Sequence, residues 1–286
     1  GPRMLCSGAY VTVHGGGGDV TGLAPDVDAV LPRDLRFGVV RTVDDVRDAV
    51  RRIIGGGAGL IKVIATGAVL TEGTSPGAPE LTEEQLRAAV EEAALYDVHV
   101  AAHAHGAEGI KRAVRAGVRS IEHGSLMDDE SIALMAEHGT WLVADIYNGD
   151  YIAETGTRDG WGAETMRKND ETTQAQRDGF RKAVALGVNI AYGTDSGVYP
   201  HADSARQLPY MVRHGLTPMQ ALQAATVRAA ECMDWSDRVG ALEPGRFADL
   251  VALGSDPLAD DLASFAAPTL VMKGGAVVRD AGDQRA

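Results

Sequence analysis

Four side chains able to do chemistry stand at or near the ends of apolar segments. They are Lys62 in GLIKVIATG, His103 in VHVAAHAHG, His123 in SIEHG and Asp195 in VNIAYGTD. Taken singly, each has an ordinary explanation. A histidine at a strand end is more often a hydrogen-bonded structural residue than a ligand. Asp195 after Gly193-Thr194 suits a turn, and His123 before Gly124 suits a turn cap. Lys62 lies inside an apolar strand, where its ammonium costs free energy unless it is paired, modified or led out to solvent. Taken together, the four make a donor set. Neutral imidazoles suit zinc and similar divalent metals. A strand-borne lysine can take up carbon dioxide and become a carbamate, a carboxylate able to bridge two metals. An aspartate beside a metal-activated water can accept its proton and pass it to a leaving group. The coincidence of four such residues at equivalent strand ends favours the metal reading over the separate ones.

Those ends must be brought together by the elements between them. Apolar segments at 5–13, 60–65, 98–103, 120–123, 140–146 and 188–195 read as strands, six in all. Between them lie helices at 42–54, 82–96, 107–116, 128–137 and 164–186, with a further one at 217–232. Thr42 suits an N-cap with Asp44 and Asp45 in the first turn, Thr82-x-x-Gln85 is a capping-box pattern, and Thr217-Pro218 pairs an N-cap with proline at the first helical position. Residues 147–162 read as a long polar loop. Strands alternating with helices imply a mainly parallel sheet, whose carboxyl ends all face one side. His105, two residues beyond His103, either shares its strand face or opens the loop. The stretch HGGGGDVTG after the first strand matches no nucleotide-binding spacing. It reads as a loop over the site or as a plain linker. Residues 239–286 carry short strands and turns without long helices, and form a small β part beside a domain at 1–238.

The bulk composition excludes several classes. The chain has 286 residues, with 27 Lys and Arg against 40 Asp and Glu, for a net charge of −13. Nucleic acid is not an expected partner, because phosphate contacts need basic clusters. Cys6 and Cys232 lack metal-type spacing and fit a reducing compartment. No apolar run approaches the roughly 18 residues that span a bilayer, and no secretory signal pattern is present. The expected location is cytoplasmic, with a small-molecule substrate and no membrane partner.

The segments IKVIATG, VHVAAHAHG, SIEHG and AYGTDSGVYPH, followed by MVRHGLTPMQALQAAT and ALEPGRFADLVAL, closely resemble those of the metal-dependent amidohydrolase superfamily. The nearest group looks like its imidazolonepropionase-like and prolidase-like branch. The resemblance runs from about Gly1 to Val278, in order. It implies an α/β fold, a TIM-type (β/α)8 barrel of the amidohydrolase kind, incomplete here by its first two β/α units. A small C-terminal β-sandwich remnant follows. Lys62 then matches the strand-4 lysine that carries a carbon dioxide-derived carbamate and bridges two metals, with Zn2+ the expected ion. His103 matches the strand-5 ligand, His123 the strand-6 ligand, and Asp195 the strand-8 aspartate, both metal ligand and general base. The implied reaction is hydrolysis of an amide-like bond by a metal-activated hydroxide, with Asp195 carrying the proton.

Two departures bear on that reading. The family's strand-1 His-x-His is not found here, and the H-A-H at 103–105 falls at strand 5 instead. The alternatives are therefore a shortened, catalytically impaired metal-binding or assembly subunit, or a single-metal lyase or isomerase. An incomplete barrel leaves two sheet edges open, so a homo-oligomer or a second chain is expected to cover them. Relatives in the branch also carry a histidine in the Gly-rich loop and a tyrosine after E-H-G, which hold a substrate carboxylate. Here Gly17 stands near the first position, with His14 displaced, and Ser125-Leu126 follows the second. His105, His14, Tyr199, His201 and Arg206 complete the set of expected substrate contacts or neighbours of the metal.

Overall fold

The computed structural model describes residues 1–19, 26 and 37–282. Residues 20–22 of the Gly-rich stretch and the last four of the C-terminal part lie outside them. Seven parallel strands carry the site: β1 (Tyr10–Val13), β2 (Val39–Val40), β3 (Ile61–Ile64), β4 (Val100–Gly106), β5 (Ser120–Leu126), β6 (Trp141–Val143) and β7 (Asn189–Ile190). Their order is β2-β1-β3-β4-β5-β6-β7, and every neighbouring pair is parallel. Among the described residues the sheet has two ends, β2 and β7, and does not close into a barrel. The expectation of six strands is corrected to seven. The addition, β2, pairs only Val39 and Val40 with Thr12 and Val13, too short a segment to show a period.

Helices cross between the strands: α1 (Val43–Gly55), α2 (Glu83–Ala94), α3 (Ala107–Ala116) and α4 (Asp129–His138). Capping boxes start three of them, Thr42 with Asp45, Thr82 with Gln85 and Asp128 with Ser131. Each satisfies backbone N–H groups that the first helical turn leaves unpaired. The core lies between these helices and the sheet, built on Val11, Ile61, Val63, Ala102, Ile121 and Leu142. Because strand side chains alternate, Lys62 and the odd-numbered residues of β4, His103 and His105, fall on the opposite face.

Two helices, α5 (Asn148–Asp159) and α6 (Ala163–Leu186), fill the long connection from β6 to β7. This corrects the reading of 147–162 as a loop. Asn148, Gly149, Ile152, Thr155 and Gly156 are the buried residues of α5, a helical stripe made mostly of small and polar side chains that hydropathy does not register. The glycines are there for close approach: a Cβ on Gly149 would lie 2.3 Å from Thr173 Oγ1, and one on Gly156 2.4 Å from Met166 Sδ. After β7 come a 3-10 turn (His201–Arg206), α7 (Gln207–Arg213), α8 (Pro218–Ala224) and α9 (Val227–Cys232). The single helix expected at 217–232 is thus two, broken at Thr226, whose backbone (φ −125°, ψ −97°) is not helical.

The C-terminal stretch forms a three-stranded antiparallel sheet of β8 (Leu250–Ala252), β9 (Leu270–Lys273) and β10 (Ala276–Asp280). It is tied to the N-terminus by an ion pair between Arg3 and Asp249, with the Arg3 guanidinium 3.9 Å from the centre of the Phe247 ring. Leu262, ahead of β9, is fully buried in the main core. Among the described residues no helix is long and apolar enough to cross a membrane.

Candidate metal centre

The carboxyl ends of the strands deliver their polar side chains to one place. A cavity of about 320 Å3 is lined by Lys62 of β3, His103 of β4, Glu122 and His123 of β5, and Asp145 and Asp195 just past β6 and β7. The strand at 98–103 was expected to stop at His103. It runs on to Gly106, so His105 is a strand residue rather than the start of a loop. The three imidazoles cluster: ring centres are 4.6 Å apart for His103–His105, 4.6 Å for His103–His123 and 4.9 Å for His105–His123.

His123 reaches the cavity by an irregularity. Ile121 packs in the core and Glu122 faces the cavity, so plain alternation would send His123 back towards the helices. Instead His123 and Gly124 take left-handed backbone, φ 68° and 59°, and the pairing with β4 shifts register there. A bulge of this kind re-aims a side chain. Asp195 is also left-handed, φ 51°. At His123 and Asp195 such conformations cost of order 1–3 kcal/mol each and persist where surroundings over-determine them.

Donor atoms of His123, Asp145 and Asp195 all lie within 4.8 Å of one another. Asp145 Oδ1 stands 3.2 Å from His123 Nδ1 and accepts a hydrogen bond from Gln176 Nε2 at 2.8 Å. Asn148 Nδ2 donates to Asp145 Oδ2 at 2.9 Å and to Asp195 Oδ2 at 3.1 Å. Gln176 Nε2 also donates to the His123 carbonyl at 3.0 Å. His105 Nδ1 pairs with Ser125 Oγ at 2.8 Å, and His103 Nε2 lies 3.2 Å from the Gly67 carbonyl.

Burial and neighbouring charge set the protonation states. Burial, with the other imidazoles adding to it, holds His103 well below the usual histidine range and brings His105 down to about 3. Burial acts the same way on His123, but the carboxylates of Asp145 and Asp195 outweigh it and raise His123 above the ordinary value. Asp145 runs the other way. Burial opposes its ionisation, yet His123 and the two amide donors hold it below the carboxylate range. Asp195 is raised by burial and by the Asp145 charge, against the pull of His123 and Lys62.

This donor set fits a divalent cation. Imidazole nitrogens with a carboxylate suit zinc-like ions, and a cation here offsets the Asp145 charge that adds to burial in raising Asp195. The charge of Lys62 acts on His103, His105, His123 and Asp195.

The remaining expected residues lie elsewhere. Tyr199 is buried, its ring centre 5.1 Å from that of Tyr147 and 5.7 Å from that of Tyr151, and burial pushes its hydroxyl up to about 12. His14 is exposed, 3.4 Å from Asp19. His201 is exposed at the start of the 3-10 turn. Arg206 is exposed, pairs with Asp203 at 3.2 Å and donates to the Tyr147 hydroxyl at 3.3 Å. None of these lines the cavities at the centre. The Gly-rich loop does border the larger one, through Gly17 and Gly18. It is tied down by Gly17 N, which donates to both Glu80 carboxylate oxygens at 3.0 and 2.9 Å.

Asp145, Asn148 and Gln176 escaped the sequence reading. Asp145 had a signal: it stands near the end of the apolar segment TWLVADI, as Asp195 stands at the end of VNIAYGTD. Asn148 and Gln176 had none, since they lie in polar helical segments. With His105, Ser125, Asn169 and Thr172 they line a second cavity of about 140 Å3 beside the first, which shares His103, His123, Asp145 and Asp195.

Comparison with known proteins agrees with this geometry. Residues 1–278 match the model of the amidohydrolase family. The chain is 35% identical over 298 aligned positions to the ochratoxinase of Aspergillus niger, covering 99% of this chain and 61% of that protein. It thus spans about three-fifths of the length of that curated relative. The crystal structure of A. niger ochratoxinase superposes with a TM-score of 0.85, at 33% identity, over 99% of this chain and 67% of that one. A crystal structure of a Xaa-Pro dipeptidase with methionine bound in its active site gives a TM-score of 0.89, at 38% identity, over 98% of this chain and 68% of that one.

Proposed function

The chain belongs to the amidohydrolase family, and from that premise we propose that it is a metal-dependent hydrolase of amide-like bonds in small molecules. The observation that carries the proposal is the arrival of Lys62, His103 and His123 from three strands, and of Asp195 from the segment after β7, to line one cavity. In this reading residues 1–238 hold the centre and 239–286 form an accessory sheet.

Lys62, His103, His123 and Asp195 are the proposed metal ligands, with Lys62 as the carbamate and Zn2+ as the ion. When bound, a divalent cation supplies Lewis acidity and lowers the pKa of water in the site. His123 presents Nε2 to the cavity, because its Nδ1 faces Asp145. His103 presents Nδ1, because its Nε2 faces Gly67. The low proton affinity of His103 leaves it neutral, as a ligand must be. Asp195 takes the proton of the attacking water and delivers it to the leaving nitrogen. The polar cavity places the substrate: Asn148 Oδ1 is buried without a partner among the described residues and suits a substrate N–H.

The relatives supply the first substrates to try. Purified protein reconstituted with Zn2+ and bicarbonate is assayed against Xaa-Pro and other dipeptides and N-acyl amino acids. The expected result is cleavage of at least one amide, abolished by a chelator and restored by metal. Metal-loaded protein that cleaves none of them counts against the hydrolase reading.

The open sheet favours an assembly. We propose a homo-oligomer in which β2 and β7 are covered by a second copy, since unpaired edges invite pairing. Sedimentation of a lone monomer at micromolar concentration contradicts it.

A further inference from the structure

Asp145 belongs to no expected ligand set, yet it sits at the middle of the centre. It is only 6% exposed. Its carboxylate is almost fully engaged by the protein. Oδ1 meets His123 Nδ1 and Gln176 Nε2, and Oδ2 meets Asn148 Nδ2. An ionised carboxylate has about four acceptor positions. Two take amide hydrogen bonds, and Oδ1 also stands 3.2 Å from the Nδ1 ring nitrogen of His123. When one imidazole nitrogen donates to a carboxylate, the other is left as the acceptor, and both tautomer and ring orientation are fixed.

We propose that Asp145 is the positioning residue of the metal centre: it binds the Nδ1–H of His123 and so aims Nε2 at the ion, without being a ligand itself. The proposal rests on the metal-dependent reading above. Asn148 and Gln176 complete the device. Gln176 holds the Asp145 carboxylate and the His123 carbonyl with one amide nitrogen, so side chain and backbone of the bulged residue are fixed by one group. Asn148 ties Asp145 to Asp195 with the other amide. Both amides come from the helices between β6 and β7. The helical connection is therefore part of the metal centre's geometry.

The arrangement makes Asp145→Asn a sharp substitution. With its oxygen kept towards His123 and Gln176, the new amide nitrogen meets Asn148 Nδ2, donor against donor. Turning Asn148 over to relieve this sets its oxygen against the Asp195 carboxylate. Turning residue 145 instead sets its nitrogen against Gln176 Nε2. No orientation satisfies every group.

Zinc affinity of the full chain, measured by competition with a chromophoric chelator, tests the proposal. Loss of a partner that orients a ligand lowers metal affinity by about 10–100-fold, and Asp145→Asn is expected to fall in that range. Asp145→Glu, which keeps the charge and the acceptor, recovers part of the loss. A merely structural carboxylate would show no such rescue once circular dichroism and melting of the metal-free proteins agree. A crystal structure of the zinc-loaded wild type serves where a variant fails to fold. It is expected to show His123 Nε2 on the ion and Asp145 still on His123 Nδ1. An Asp145 oxygen at about 2.0–2.2 Å from zinc, or an Asp145→Asn affinity equal to wild type, overturns the proposal and leaves the hydrolase reading standing. A wild type that binds no zinc overturns both.

Discussion

The centre has two walls built on opposite principles. The sheet wall takes Lys62, His103, His123 and Asp195 from the ends of apolar strands whose other face is packed in the core. The helix wall takes Asn148, Asn169, Thr172 and Gln176 from α5 and α6, all buried, and none of them titrates. The sheet wall concentrates charge and donor atoms. The helix wall has its amide donors already engaged with carboxylates and carbonyls. A strand end places one side chain with little freedom, so it suits groups that must converge on an ion. A helix face places several at once, so it suits a network that holds those groups in position.

Damage to the sheet wall is expected to remove chemistry, and damage to the helix wall away from Asn148 and Gln176 to remove stability. The largest effect is expected for Asp195→Asn. Loss of a positioned base costs about 10²–10⁴-fold in rate, read as kcat for any amide the wild type cleaves, with the fold intact by circular dichroism. A variant within a few-fold of wild type would move the proton-carrying role elsewhere.

Next comes acid sensitivity of the metal-free protein, to which the buried imidazoles of the β4 strand contribute. His105 is buried and its proton affinity falls from 6.5 in an exposed chain to about 3. Its contribution is whole above pH 6.5 and is lost as pH falls towards 3, because only the unfolded chain takes up the proton. The loss across that window is on the order of a few kcal/mol. His123, raised by its carboxylates, acts with the opposite sign and offsets part of it. Melting temperatures of wild type and His105→Gln between pH 7 and 4 check this: the wild type is expected to fall more steeply. Parallel curves would place the acid sensitivity elsewhere.

The smallest effect is expected on the helix wall. Asn169 Nδ2 donates to the Gly149 carbonyl at 3.0 Å, joining α6 to α5. Asn169→Leu removes that bond, at a cost of about 0.5–1.5 kcal/mol, read by urea denaturation. Zinc content is expected to stay at the wild-type level. Loss of metal in this variant would erase the distinction between the walls.

The two walls were also unequally legible. The sheet wall could be read because an apolar run interrupted by a single polar residue is conspicuous, and parallel strands all end on one side. Even there, Asp145 was passed over, a single acid near the end of the apolar segment at 140–146. The bulge at His123 was hidden as well, since alternation alone points its ring into the core. The helix wall could not be read from hydropathy. Asn148, Thr155, Lys168 and Gln176 are residues that usually face water, and their burial depends on partners more than twenty residues away in the sequence for Lys168 and Gln176. The same blindness turned α5 into an expected loop. β2 was lost to its length, and the break at Thr226 to a helical pattern that continues across it.

The claim that the histidines and acids of the sheet wall hold a metal is tested most directly by metal content. Wild type and His103→Ala, purified in parallel and loaded with Zn2+ and bicarbonate, are desalted and analysed by plasma mass spectrometry. Near-stoichiometric zinc in the wild type and its loss in His103→Ala, with unchanged circular dichroism, is the expected result. Equal zinc in the two proteins, or none in the wild type, would contradict it.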